Sequence, residues 1–184
     1  VDKKIFLSIY QQIDTDFQSY AASVCSVLGG NFLPGPMKTW ESCSRKAKAD
    51  GCEISDLKDI IRCSFIFTTE EEVMYAMNRI QSLAEVVRVK NRMTSKGYRD
   101  VLINVSFMGI VCEIQLHTAL GLAAKDGKVI NHPTVNTWSA KLGPFAGWGH
   151  KLYELERAAS HPTVAAIIAV MGVWYYGLVR KLLS

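Results

Sequence analysis

Residues 95–118, SKGYRDVLINVSFMGIVCEIQLHT, constrain the fold more than any other stretch. Val101–Val105 and Ile110–Leu116 are rich in Val and Ile, and both alternate with polar residues, the pattern of strands with one buried face. Met108 and Gly109 between them suit a tight hairpin turn. With Phe107 opposite Ile110, the numbers of cross-strand partners sum to 217 and the whole register follows. One face then receives Val101–Leu116, Ile103–Ile114 and Val105–Cys112; the other receives Asp100–His117, Leu102–Gln115 and Asn104–Glu113. Partners share a face about 5 Å apart, so the second face is a polar floor. Slipping the register by one residue would bury Glu113, which is costly for an uncompensated charge. Periodicity alone leaves two readings of this floor open, an ordinary solvated sheet face and a functional surface.

The rest of the chain supplies layers for such a sheet. Ile5, Ile9, Ile13, Phe17, Tyr20, Val24 and Leu28 recur at helical spacing over Lys3–Leu28, and Gly29–Gly30 ends that helix. Pro34 and Pro36 mark a break, and Met37–Ala49 reads as a short polar helix. Ile60–Phe67 is nearly continuously apolar and reads as a central strand. Thr69, with Glu71 and Glu72 behind it, opens a helix to about Ala84, and Val86–Arg92 alternates as another strand. After His117 a helix runs to Lys125, followed by an irregular stretch rich in Gly, Asn, Pro and Trp. Ala146–Ala159 is helical again, with Trp148, Leu152 and Leu155 as its buried stripe and Tyr153 also in the core. This order implies an α+β (α/β layered) domain around a mixed four- to five-stranded sheet flanked by helices.

With 184 residues the chain can bury one full core, so residues 1–159 are expected to form one domain and 160–184 an appendage. The opening Val, in place of Met, suggests a piece of a longer protein. A net charge of +4 permits a phosphate-bearing ligand, and no basic stripe with interleaved aromatics points to DNA. Five cysteines without a CxxC pair argue against a disulfide framework or a zinc site and for a reducing, cytoplasmic setting. The four histidines share no metal-ligand spacing. Residues 164–179 form a sixteen-residue run without charge, followed by Arg180 and Lys181. A bilayer span needs about 20 apolar residues; a membrane anchor and a helix packed on the domain both remain open.

Asp59 opens the central strand, Asp56 precedes it by three residues, and Glu113 sits in the middle of the hairpin. Two carboxylates on a sheet, facing cations, suit magnesium with a polyphosphate. The available cations are Lys38, Arg45, Lys46, Arg62, Lys90, Lys96 and Arg99, with Arg92. No GxxxxGK[ST] loop is present, which disfavours a P-loop.

Taken in order, PMKTWESCSRK, ISDLKDIIRCSFIF, KGYRD, CEIQLHT and GHKLY resemble the RelA/SpoT-type alarmone synthetase domain over roughly residues 35–157. Tyr98 and Glu113 stand fifteen residues apart, the spacing of the family's Gly-Tyr and Glu-Ile-Gln elements. The resemblance implies a nucleotidyltransferase-like fold and transfer of the β,γ-pyrophosphate of ATP to the ribose 3′-hydroxyl of GDP or GTP, with magnesium. Glu113 would help hold magnesium and activate the acceptor hydroxyl. Asp59 would be the second metal-binding acid, with Asp56 its rival. Tyr98 would stack on the acceptor base, and Lys38, Arg45 and Lys46 would hold the donor phosphates. Lys90 and Lys96 would join the phosphate cradle, with Arg62, Arg99, Asn104, Gln115 and His117 lining the nucleotide site. Three departures stand out. Leu102 occupies the place of an expected His, Pro36 that of an expected Arg, and an inserted stretch including Ile130–Ala140 precedes GHKLY. They leave room for a catalytically degenerate nucleotide sensor, for an adenosine or RNA 3′-end acceptor, and for a plain anchoring domain.

Overall fold

The hairpin register places the catalytic candidates, and the computed structural model, which describes residues 3–183, reproduces it from Val101–Leu116 to Phe107–Ile110. β4 (Val101–Phe107) and β5 (Ile110–Thr118) are antiparallel, with Leu102 opposite Gln115 and Asn104 opposite Glu113. The turn works because Met108 and Gly109 both adopt positive φ, 50° and 78°. That matches the twist of the flanking strands, and Gly109 takes it without steric cost. Val101, Ile103, Val105, Cys112, Ile114 and Leu116 are all buried on the opposite face.

The chain divides into two compact units. The first comprises residues 1–67, 71–90 and 101–116; the second comprises 68–70, 91–100 and 117–184. A five-stranded mixed sheet runs in the order β1-β2-β5-β4-β3, where β1 is Asn31–Pro34, β2 Arg62–Phe67 and β3 Glu85–Asn91. In the first unit, α1 (Lys3–Val27) packs on β1 and β2, burying Phe6, Ile13, Phe17, Ala21, Val24 and Cys25 at the expected spacing. α2 (Trp40–Asp50) starts at Thr39, whose hydroxyl accepts from the Ser42 amide, and ends at Gly51 in the left-handed region. α3 (Glu70–Ile80) precedes β3 in the chain.

The second unit is helical: α4 (Ala119–Asp126), α5 (Pro133–Leu142), α6 (Trp148–Ala158) and α7 (Pro162–Leu183). Tyr175 ties α7 down by donating its hydroxyl to the carbonyls of Ala124 (2.9 Å) and Phe145 (2.6 Å). α6 meets α7 at Gly149, where a Cβ would collide with the Tyr176 hydroxyl.

Three expectations are corrected. The Pro34 break is the end of strand β1, tolerated because β1 is an edge and Pro needs no ladder donor there. The stretch expected to be irregular contains α5, with Pro133 in the first turn and His132 Nδ1 accepting from the Val135 amide (3.4 Å), a use of Pro that starts a helix. Trp148, Tyr153 and Leu155 are exposed, because α6 turns Gly149 and not that stripe inward. All five cysteines are free thiols.

Candidate active site

The first unit gathers charge at one place. Asn104, buried on β4 opposite Glu113, donates Nδ2 to the Lys58 carbonyl at 2.9 Å and so pins the loop that carries Asp59. Asp59 Oδ2 accepts from Lys38 and, at 2.7 Å, from Lys46 on α2. Asp59 Oδ1 is buried without any hydrogen-bond partner. Burial raises the Asp59 pKa, but the two ammonium groups outweigh it and hold the carboxyl below its ordinary value. Lys46 is correspondingly raised; burial works against its charge, and Asp59 prevails.

Glu113 is half-buried. Its backbone N–H donates to the Ile61 carbonyl (3.0 Å), and its Oε1 accepts from Gln115 Nε2 (2.6 Å). Burial first, then the negative charge of Asp59, raises its pKa, against the pull of Gln115, Lys38 and Arg62. The site thus holds two carboxylates of opposite tendency, one kept ionised by lysines and one pushed toward the proton. Among the described residues no three His, Cys, Asp or Glu side chains converge as a metal cage. Magnesium does not need one, since it is commonly bound by one or two carboxylates with substrate phosphates and water. The unpartnered Asp59 Oδ1, beside Glu113, fits that donor set.

The other candidates of this unit stand apart. Asp56 is exposed and spends its carboxylate on the Glu53 amide (3.1 Å), closing a short 3-10 turn over Ile54–Asp56. Arg45 is exposed with its guanidinium on Ser42 Oγ (3.5 Å), one position round α2 from Lys46. Lys90 is exposed on the edge strand β3. Gln18 was not anticipated. Its Nε2 bridges the carbonyls of Gly35 (3.3 Å) and Arg62 (3.0 Å), two segments that approach so closely that a Cβ on Gly35 would strike the Arg62 carbonyl.

The remaining candidates lie in the second unit. Tyr98 is half-buried, its hydroxyl bonded to Nδ1 of the buried His117 at 2.7 Å. Burial, reinforced by Lys125 and Arg92, lowers the His117 pKa to about 3, so the imidazole is neutral. The Tyr98 ring lies 5.4 Å from that of Tyr176, and Lys125 Nζ sits 5.4 Å from its centroid. Arg99 grips both oxygens of Glu70 (2.9 and 2.8 Å) and donates Nε to the Ser95 carbonyl (3.0 Å). Lys96 is exposed, and its carbonyl accepts from Arg180 (2.6 Å). Asp100, expected opposite His117, is buried and paired with Arg92. Glu70, Lys125 and Tyr176 were not anticipated. Their partners are distant in sequence, and no local pattern announces them.

No protein-family model matches the sequence, and no curated protein matches it. Solved structures do. The type VI effector Tas1, in complex with its immunity protein, is 25% identical with a TM-score of 0.74, and the match covers 91% of each chain. A GTP pyrophosphokinase family protein from Streptococcus pneumoniae is 16% identical with a TM-score of 0.61, covering 97% of this chain and 90% of the other. The small alarmone synthetase 1 of Bacillus subtilis, bound to its product pppGpp, is 14% identical with a TM-score of 0.64 over 97% and 93%. The chain therefore has the fold of the RelA/SpoT-type alarmone synthetases, in a divergent form.

Proposed function

We propose that the chain transfers pyrophosphate from ATP to the ribose 3′-hydroxyl of a purine nucleotide, with GDP or GTP as the acceptor to test first. The observation that carries this reading is the pairing of Glu113 with an Asp59 whose one oxygen holds Lys38 and Lys46 while the other is unpartnered. The fold shared with pyrophosphokinases supports it, as does the small alarmone synthetase 1 structure bound to AMPCPP.

Asp59 Oδ1 and Glu113 would hold magnesium, which when bound neutralises charge on the donor phosphates. Lys38 and Lys46 turn from Asp59 to the triphosphate, exchanging one anion for another at little cost. The acceptor 3′-oxygen attacks the β-phosphorus, the bond between the β-phosphorus and the bridging α,β oxygen breaks, AMP leaves, and the acceptor proton passes to Glu113. A carboxylate raised by burial is a stronger base than an exposed one, which suits this proton transfer. Most of the acceleration comes from positioning and charge neutralisation. Tyr98 is assigned the acceptor base by the motif resemblance, in a cytoplasmic setting where these nucleotides meet.

The Tas1 likeness supports a second reading of the biological setting, in which the chain is an effector matched by an immunity partner. The test is incubation with ATP, magnesium and each of GDP, GTP, ADP and ATP, with products resolved by anion-exchange chromatography. A pyrophosphorylated nucleotide formed by the wild type and lost in Glu113→Gln is expected. ATP binding by calorimetry without product from any acceptor would replace the transferase with a nucleotide sensor.

A further inference from the structure

The segment leading into Tyr98 lies in neither helix nor strand, yet three of its successive carbonyls accept from guanidinium groups. Ser95 accepts from Arg99 Nε (3.0 Å), and Lys96 (2.6 Å) and Gly97 (2.9 Å) both accept from Arg180. Arg180 stands in the last turn of α7 and is the first charge after the uncharged run 162–179. By length and composition α7 could cross a membrane. Its Arg180 instead spends the planar fork of its side chain on two neighbouring peptide carbonyls of the second unit, a geometry that one Lys could not copy.

The same side of α7 follows this loop for two turns. Val173, Tyr176 and Arg180 succeed one another by three and four positions and so share a helix face. A Cβ on Gly97 would lie 3.9 Å from Val173 Cγ2, and the Tyr176 ring sits 5.4 Å from that of Tyr98. Tyr98 is therefore fixed at three points: its hydroxyl by His117, its ring by Tyr176 and its preceding backbone by Arg180. A cavity of about 130 Å³ opens beside the ring, lined by Tyr98, Thr118, Gly121, Tyr176 and Arg180 among others. An aromatic platform binds a base well only when its loop is already ordered. Otherwise the incoming nucleotide bears the ordering cost and its affinity falls.

We propose that Arg180 is a positioning residue for acceptor binding: by clamping the Lys96 and Gly97 carbonyls it presets Tyr98 for the acceptor base. This rests on the assignment of Tyr98 to that base under the proposed function. The test is calorimetric titration of the full chain with GDP and with the uncharged nucleoside guanosine. Arg180→Ala should raise both dissociation constants about tenfold, a change of roughly 1.4 kcal/mol, because the clamp acts through the ring and not through charge. Arg180→Lys, which keeps the charge and one donor group, should recover part of the affinity. Tyr175→Phe frees the Ala124 and Phe145 carbonyls without touching the loop and should leave both constants unchanged. Unchanged affinity in Arg180→Ala, with binding lost in Tyr98→Ala, overturns the clamp and leaves Tyr98 in place. An equal loss in Tyr175→Phe also overturns it, in favour of general loosening of α7. A loss confined to GDP overturns it in favour of a direct phosphate contact. Absence of binding to the wild type, or binding indifferent to Tyr98→Ala, strikes the base assignment and the clamp with it.

Discussion

The acid–lysine cluster of the first unit and the Tyr98–His117 pair of the second are built from equally polar residues and are left in opposite states. Asp59 keeps a buried oxygen without a partner and shares two lysines on the other. Tyr98 and His117 satisfy each other, with His117 neutral and buried. A buried polar atom left unsatisfied is expensive, and under the proposed function a bound ligand would satisfy the one on Asp59. A mutually satisfied pair stores rigidity instead. Under the proposed function, the contrast separates carboxylate and lysine groups kept available to a ligand from a hydroxyl–imidazole contact that fixes local shape.

The largest effect that could break this contrast is at Glu113. Glu113→Gln keeps the size and the Gln115 neighbour but removes the base, and should lower product formation about 10²–10⁴-fold while ATP binding persists. A loss of less than tenfold would move Glu113 to the satisfied class. Next comes acid. His117 has its folded pKa depressed to about 3 from 6.5, so below pH 6.5 the unfolded chain takes up a proton that the folded chain refuses. Stability should therefore fall with decreasing pH from about 6.5 toward 3, by up to about 1.4 kcal/mol per pH unit. Urea denaturation of the wild type and His117→Gln at pH 7, 6 and 5 measures this; parallel slopes would remove His117 from the account.

A smaller change sharpens the charged side. Lys38→Ala removes one of two cations from a carboxylate that is 19% exposed. The cost should be about 2 kcal/mol, less than for a fully buried pair, with weaker binding of a non-hydrolysable ATP analogue in calorimetry. Undiminished analogue affinity would take Lys38 out of the donor site. The smallest effect belongs to Tyr98→Phe, which deletes one hydrogen bond and keeps the ring. It should cost about 1 kcal/mol of stability and leave the acceptor KM within a factor of about three. A large rise in KM would show the hydroxyl, and not the ring, meeting the acceptor.

The hairpin register was legible because two constraints act on one short segment. Strict alternation selects the faces, and a two-residue turn leaves no slack in pairing. Helix α1 was legible from one long apolar stripe. Pro34 and Pro133 misled because the same rigid ring ends one element and begins another, depending on whether its missing N–H was needed there. The exposed α6 stripe misled because helical spacing describes a face without saying which neighbour receives it. At the site, Glu113, Asp59, Lys38 and Lys46 were named from motif order, and the fold brings them together. Asp56 and Arg45 lie outside this cluster, each bonded to a local partner. Asn104, expected at the nucleotide, supports the Asp59 loop. That contact spans 46 residues and has no signature in the chain.

The two residues at the tip of the β4–β5 hairpin act as the phase setting of the whole floor. Because side chains alternate with every residue, adding or deleting one residue at 108–109 would invert the parity of β5, turning Glu113 toward the hydrophobic layer and Cys112 or Ile114 toward the lysines. Changes by two would restore the parity and merely slide the acid along its neighbour. Viable length variants of this hairpin should therefore differ in even steps, a restriction on indels that a point-substitution scan would not expose.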